Sequence, residues 1–271
     1  CKTAFQQIMK EKIKQLVADN ASEILDIRRY LHANPELSFK EYETSKFVTS
    51  QLDKWGVSYK SGFVETGIVA HIEGKNPSSK VIALRGDMDA LPIIEANNVP
   101  YKSKNEGVMH ACGHDVHTSC VMGVAKTLHS LRDEFEGTVK IIVQTGEERF
   151  PGGASLMIKE GALENPKASS IVGQHVLPEL AVGKVGFRSG MYMASADEVH
   201  FTVTGKGGHA ALPHYLIDPV LITSHIIVAL QKLVSRRTKP GAPCLLSFGS
   251  VHANGTTNVI HNQVHVKRNF Q

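Results

Sequence analysis

The chain has 271 residues, with 30 Lys and Arg against 26 Asp and Glu and a formal net charge of +4. That length can bury a large core in one big domain or two smaller ones, and the basic residues, scattered among acidic ones, form no stripe that would suit nucleic acid. The four cysteines, Cys1, Cys112, Cys120 and Cys244, are few and widely spaced, and no apolar run has the length of a membrane span. A protein of the cytoplasm is therefore expected, with neither a nucleic-acid nor a membrane partner.

Residues 1–8 precede Met9-Lys10-Glu11-Lys12, which reads as a native start, so an upstream extension is expected there, with a lipid-modified Cys1 as the alternative. An amphipathic helix then runs from about Met9 to Leu31, with Ile13, Leu16, Val17, Ile24 and Leu31 at helical spacing, and stops before Pro35. Ser38-Phe39-Lys40-Glu41 reads as a capping box opening a second helix that ends near Trp55-Gly56. Extended segments are expected at Thr66 to Ile72 and Lys80 to Leu84. Helix 116–131, strand Thr138 to Gln144, helix Ala154 to Lys159 and strand Ser170 to Gly173 follow. This alternation predicts an α/β fold, a mostly parallel or mixed sheet flanked by helices.

The pattern changes after Ser189. Asp197 to Thr204 alternates apolar and polar residues as a half-exposed antiparallel strand does, and Gly205 to His209 reads as a flexible turn. Asp218-Pro219 opens a helix to about Val234, with Asp218 as N-cap. Two strands follow, Leu245 to Ala253 and Asn258 to Phe270. Strand, helix, strand, strand is an incomplete ferredoxin-like unit. Two domains are expected, 9–188 and a smaller α+β one at 189–271.

Chemistry concentrates in Met109-His110-Ala111-Cys112-Gly113-His114-Asp115-Val116-His117, which puts a thiol, three imidazoles and a carboxylate into nine residues. That is a metal-ligand composition, although a buried Cys beside a satisfied imidazole has the same local look. Cys112 and His114 would diverge on a regular helix, so a turn just before a helix is expected. In open α/β sheets sites lie outside the carboxyl ends of strands, and there stand Asp87 and Asp89, Glu147 and Glu148, and His175. An adjacent acidic pair or a lone His is ordinarily a solvated group. Here each directly follows a buried-looking strand.

Taken together, Tyr30-Leu31-His32-Ala33-Asn34-Pro35-Glu36-Leu37, RGDMDALP from Arg85 to Pro92, MHACGHDVH, Glu147-Glu148 before Gly152-Gly153-Ala154, Gly173-Gln174-His175-Val176 and GKGGHAALPH from Gly205 to His214 carry a family likeness. The chain resembles the amidohydrolase branch of the aminoacylase and carboxypeptidase metallohydrolases, which includes hippurate hydrolase and the auxin-conjugate hydrolases. The likeness runs from Met9 to about Val266.

The resemblance implies two divalent ions, Mn or Zn, with Co or Ni also compatible, bridged by Cys112 and further held by His114, Glu148 and His175. It implies Glu147 as general base, taking a proton from a water activated by the ions and passing it to the leaving nitrogen. Asp89 would hold a ligand in place, with Asp87 a second candidate for that job. His209 would hydrogen-bond the oxyanion and Asn258 would contact substrate. The smaller domain would serve as a lid and form a homodimer.

Some positions depart from the family. A last His ligand comes from near the C-terminus of family members, and the arginine that binds the substrate carboxylate falls where Gln271 stands. Two functions are thus expected: an amidohydrolase cleaving N-acyl amino acids or small peptides, or a truncated, catalytically incompetent relative that binds metal weakly and acts only through association.

Overall fold

A computed structural model describes the chain except Cys1, Ala194, Ala196, Pro243 and Gln271; side chains are described outside 2–5 and 268–270. The lipid alternative at Cys1 and the arginine position at Gln271 lie outside the described residues. The chain divides into two compact units, Cys1–Ala181 and Val182–Gln271.

In the first unit, α1 spans Lys2–Ala33, so the helix expected from Met9 continues back through the supposed extension. Helix α2 (Tyr42–Trp55) ends on Gly56, whose φ of 71° is the left-handed cap conformation that Gly adopts without strain. Its beginning corrects the capping-box expectation. Glu41 is the N-cap residue but its side chain caps nothing. Glu36 does the work instead, its carboxylate accepting from Glu43 N at 3.2 Å and Thr44 N at 2.7 Å. A capping box is a purely local pattern, and here longer-range partners claim both of its side chains.

The sheet is built from β1 (Ser58–Phe63), β2 (Gly67–Glu73), β3 (Val81–Asp87), β4 (Thr138–Gln144) and β5 (Ser170–Gly173), in the order β1-β2-β4-β3-β5. β1 to β2 and β2 to β4 pair antiparallel, while β4, β3 and β5 run parallel, so the sheet is mixed. β1 was not expected, because SYKSGF at an edge has no apolar alternation. Helix α3 (His114–Ser130) and α2 cover one face, where Val48, Leu52, Ile68, Ala70, Ile72, Met122, Ala125, Ile141 and Val143 form one core. Helix α4 (Gly153–Lys159) supplies Met157 to the other face, with Phe63, Val69, Ala83 and Ile142. Odd residues of β4 thus face one core and even ones the other, and each fully buried aliphatic side chain contributes about 1.5–3 kcal/mol. Lys140, on the even face and fully buried, donates to Ala162 O and Glu164 O at 3.2 and 2.5 Å.

The parallel run positions the chemistry. Asp87 is in register with Gln144, and Arg85 with Gly173, so the carboxyl ends of β3, β4 and β5 open on one edge of the sheet.

The second unit has β6 (Asp197–Thr204), β7 (Gly208–His209), α5 (Pro219–Lys232), β8 (Leu246–Ala253), β9 (Val259–Ile260) and β10 (Gln263–Phe270). β10 lies between β6 and β8, antiparallel to both. Asp218 caps α5 as expected, accepting from Val220 N and Leu221 N. Two details differ from the sequence reading. Gly208-His209 is a short strand paired with β9 rather than a free turn, and the expected single strand from Asn258 is broken into β9 and β10.

Candidate metal centre

Four segments meet at the carboxyl edge of the first unit's sheet, three of them strand ends. The fourth is the Cys112 loop, which enters α3 through Gly113. Gly113 has a φ of 85°, and a Cβ there would stand 2.4 Å from Val176 Cγ2, so this position requires glycine. The left-handed residue turns the chain between Cys112 and His114, the turn before a helix that their spacing requires.

His114 is the hub. It is 1% exposed, and its Nδ1 donates toward Asp89, whose carbonyl oxygen lies at 2.9 Å and Oδ1 at 3.1 Å. That bond leaves Nε2 as the acceptor face. Nε2 is buried and has no hydrogen-bond partner; it lies 3.7 Å from Asp87 Oδ2, 3.7 Å from Glu148 Oε1 and 4.0 Å from Glu147 Oε2. Cys112 Sγ and His175 Nε2 stand 3.4 Å apart, and His175 Nδ1 donates to Val176 O at 2.7 Å, again freeing Nε2.

Three groups of ligand atoms therefore overlap: Cys112, His114 and His175; Asp87, His114 and His117; and His114, Glu147 and Glu148, the atoms of each group lying within 4.8 Å of one another. Donors about 2.1 Å from a tetrahedral ion lie about 3.4 Å apart, so these separations suit a shared cation. Asp87 Oδ2 and Glu148 Oε1, like His114 Nε2, are buried without a hydrogen-bond partner. Arg85 Nη1 does lie 2.6 Å from Asp87 Oδ2, a charge contact lacking hydrogen-bond alignment. His114 Nε2 and Glu148 Oε1, 3.7 Å apart, would each cost free energy if nothing joined them. The residues present fit a divalent metal, and a mixed thiolate, imidazole and carboxylate set accepts several ions.

The electrostatics agree. Burial alone would depress the His114 imidazole, yet the bond to Asp89, the Cys112 thiol beside it and the charge of Asp87 push it up to about 11, so without a cation the ring itself carries the positive charge that the surrounding carboxylates favour. Asp87 is held at about 2: its bond to His117 and the charges of His114 and Arg85 outweigh the opposing effect of burial. Glu147 moves the other way. Burial, then the neighbouring Glu148 and Asp87 carboxylates, raise it above the ordinary Glu value, the direction useful to a group that must accept and return a proton.

Of the residues singled out in the sequence, Cys112, His114, Glu147, Glu148 and His175 come together here, with Asp89 directly behind His114. Asp87 does more than expected, facing the centre as well as a neighbour. His209 and Asn258 belong to the second unit, where they are neighbours: Ala210 N donates to Asn258 O at 3.0 Å, and His209 Nδ1 accepts from Ala211 N at 3.2 Å.

No role for His117 was expected from the sequence. It is fully buried, with Nδ1 2.7 Å from Asp87 Oδ1 and Nε2 accepting from Val176 N at 3.0 Å, so both ring nitrogens are already used. It ties α3 to the ends of β3 and β5. Its position one helical turn after His114 was the available signal. His110, the remaining imidazole of the nine-residue stretch, is buried with neither nitrogen partnered, and burial pushes it down to about 4.

The family model described as Peptidase family M20/M25/M40 matches residues 83–262. An N-acyl-L-amino acid amidohydrolase of Geobacillus stearothermophilus is 40% identical over 258 residues, 95% of this chain and 69% of that protein. The IAA-amino acid hydrolase ILR1-like 5 of Arabidopsis thaliana is 43% identical over 249 residues, 92% of this chain and 56% of its own length. Among solved structures, the Bacillus subtilis YXEP protein, described as a dinuclear metal binding peptidase, superposes with a TM-score of 0.68 at 36% identity, over 92% of this chain and 63% of that one. The chain thus spans a little over half to about two thirds of these relatives.

Proposed function

Given that the chain belongs to the peptidase family M20/M25/M40, we propose that it is a metal-dependent amidohydrolase cleaving the amide bond of N-acyl amino acids or small peptides. The observation that carries this reading is the convergence of three buried atoms, His114 Nε2 and Glu148 Oε1 without a hydrogen-bond partner and Asp87 Oδ2 with a charge contact to Arg85, beside the half-exposed Glu147. The names of the matched relatives, an N-acyl amino acid amidohydrolase and a hydrolase of an IAA-amino acid, support the substrate class.

Amide hydrolysis at neutral pH needs an activated water, stabilisation of a developing oxyanion and a proton for the leaving nitrogen. Two divalent ions held by Cys112, His114, Glu148 and His175 would supply Lewis acidity to water and carbonyl. Mn or Zn is the first choice. The remaining work falls to the chain. Glu147, its proton affinity raised by burial and by Glu148, takes the water's proton and carries it to the nitrogen. Asp89 fixes the ring of His114 so that Nε2 faces inward. For His209 and Asn258 the proposal is contact with substrate, His209 donating to the oxyanion. A homodimer formed through the second unit and a cytoplasmic location complete the reading.

The test is release of free amino acid from a panel of N-acyl amino acids with added Mn(II) or Zn(II), beside a Glu147→Ala control. Metal-dependent turnover that is lost in the control supports the hydrolase. A folded chain that binds the ion and turns nothing over favours the catalytically incompetent alternative instead.

A further inference from the structure

Glu41 is completely buried, and all four of its hydrogen-bond partners are neutral. Its Oε1 accepts from Gly146 N at 2.8 Å and Phe39 N at 3.0 Å, and its Oε2 from Thr145 Oγ1 at 2.7 Å and Thr66 Oγ1 at 2.8 Å. A carboxylate taken out of water with no cation beside it is an expensive way to fill space. Two of the four partners belong to Thr145-Gly146, the turn that leaves β4 and delivers Glu147 and Glu148.

The segment 36–41 is shaped to make these bonds. Glu36 replaces Glu41 as the cap of α2, which releases the Glu41 side chain inward. Phe39 sits at a φ of 64°, a left-handed conformation uncommon for a bulky residue. Its ring lies against Gly146, whose own φ is 56° and where a Cβ would meet Phe39 Cε1 at 2.3 Å. Gly146 is thus gripped by its N–H through Glu41 and by its carbonyl through Gly153 N at 2.8 Å. The other arm of the centre is reached from the same segment. Ser38 Oγ donates to Asp89 Oδ2 at 2.6 Å, and that oxygen also accepts from Glu148 N at 2.9 Å.

We propose that Glu41 is a positioning residue: from outside the centre it fixes the Thr145–Glu148 turn, and so aims the carboxylates of Glu147 and Glu148. The inference rests on the hydrolase reading for its consequence in turnover, but its geometric content stands without it.

Amide hydrogen exchange on the full chain, Mn(II) titration and hydrolysis kinetics would be measured for wild type, Glu41→Asp and Glu41→Gln. Asp withdraws the carboxylate by one methylene; Gln keeps the length and the Oε1 acceptor. For Glu41→Asp we expect exchange at Gly146 N–H about tenfold faster with β4 unchanged, and Mn(II) affinity about tenfold weaker. Turnover should fall in kcat with KM held within about threefold, and Glu41→Gln should restore all three readouts. If Glu41→Asp does not fold, Thr145→Val, which removes one hydroxyl partner, should loosen Gly146 about threefold. A lower melting temperature with no local change at 145–148 and unaltered Mn(II) affinity would overturn the inference. Wild type that turns nothing over removes the hydrolase reading alone; exchange at Gly146 still decides this one.

Discussion

Asp89 meets the same ring nitrogen of His114 twice, with its backbone carbonyl at 2.9 Å and its carboxylate Oδ1 at 3.1 Å. Its other carboxylate oxygen holds Ser38 and the backbone of Glu148. One buried side chain therefore couples the orientation of an imidazole on α3 to the loop after β4.

Removing that coupling should loosen the centre without deleting a ligand. Asp89→Ala is expected to weaken Mn(II) or Zn(II) affinity about 10- to 100-fold, the usual consequence of losing the partner that orients a ligating His. Competition against a chelating dye measures it. Unchanged affinity would mean that the Asp89 backbone carbonyl, which the variant retains, suffices with the packing around His114 to aim Nε2.

Ligands and base should separate by what they lose. Glu147→Gln should keep metal affinity within a few-fold while kcat falls about 10²- to 10⁴-fold, the range for losing a general base. Cys112→Ala, His114→Ala and Glu148→Ala should each lose the ion itself. His117→Asn should behave like neither, because both nitrogens of His117 are engaged by Asp87 and Val176. Metal stoichiometry that drops in His117→Asn would make His117 a ligand and refute this assignment.

The contrast between His114 and His117 also shows what a sequence can and cannot disclose. Cys112, His114, Glu147, Glu148 and His175 stood out because each follows a strand or lies at the turn into a helix, while the roles expected of them came from the family resemblance. His117 lies inside a helix, and its role is defined only by Asp87 and Val176, 30 and 59 residues away. Glu41 misled for the same reason. Its local pattern reads as half of a capping box, and the partner that decides its conformation, Gly146, is 105 residues distant. Elements resting on nearest neighbours, such as the Gly56 cap or the Asp218-Pro219 start of α5, were found where expected. A mixed sheet was among the expectations, but which strands pair antiparallel was not, since the pairing of β2 with β4 depends on contacts that no short window contains.

Behind the centre, His32 bridges two buried carboxylates, Nδ1 to Asp115 at 2.8 Å and Nε2 to Glu95 at 3.0 Å. The Asp115 bond, against burial and with help from Glu95, raises the imidazole above its ordinary 6.5. A group whose folded value is raised contributes stability that is complete below the unfolded value and is lost as pH rises through the folded one. His32→Gln, which cannot be charged, should therefore be destabilised relative to wild type by about 1–3 kcal/mol near pH 6. The difference should shrink as pH climbs from 6.5 through the folded value. Urea melts at a series of pH values check this, and a gap that does not vary with pH would mean that His32 is neutral in the fold.

The two adjacent glycines at the start of α4 should fail for different reasons. Gly152 has a φ of 84° and open space around an added Cβ, so Gly152→Ala meets only backbone strain, about 1–3 kcal/mol. Gly153 has no such φ, but a Cβ there would stand 1.8 Å from the carbonyl oxygen of Thr145. Backbone cannot yield as a flexible side chain does, so Gly153→Ala must displace Thr145 and with it Gly146, whose carbonyl accepts from Gly153 N. Gly153→Ala should thus lose more stability than Gly152→Ala in thermal or urea unfolding. Only Gly153→Ala should lose metal affinity as well, by about tenfold, because only it moves the turn that carries Glu148. Equal affinities in the two variants would show that the turn absorbs the displacement before it reaches the ligand.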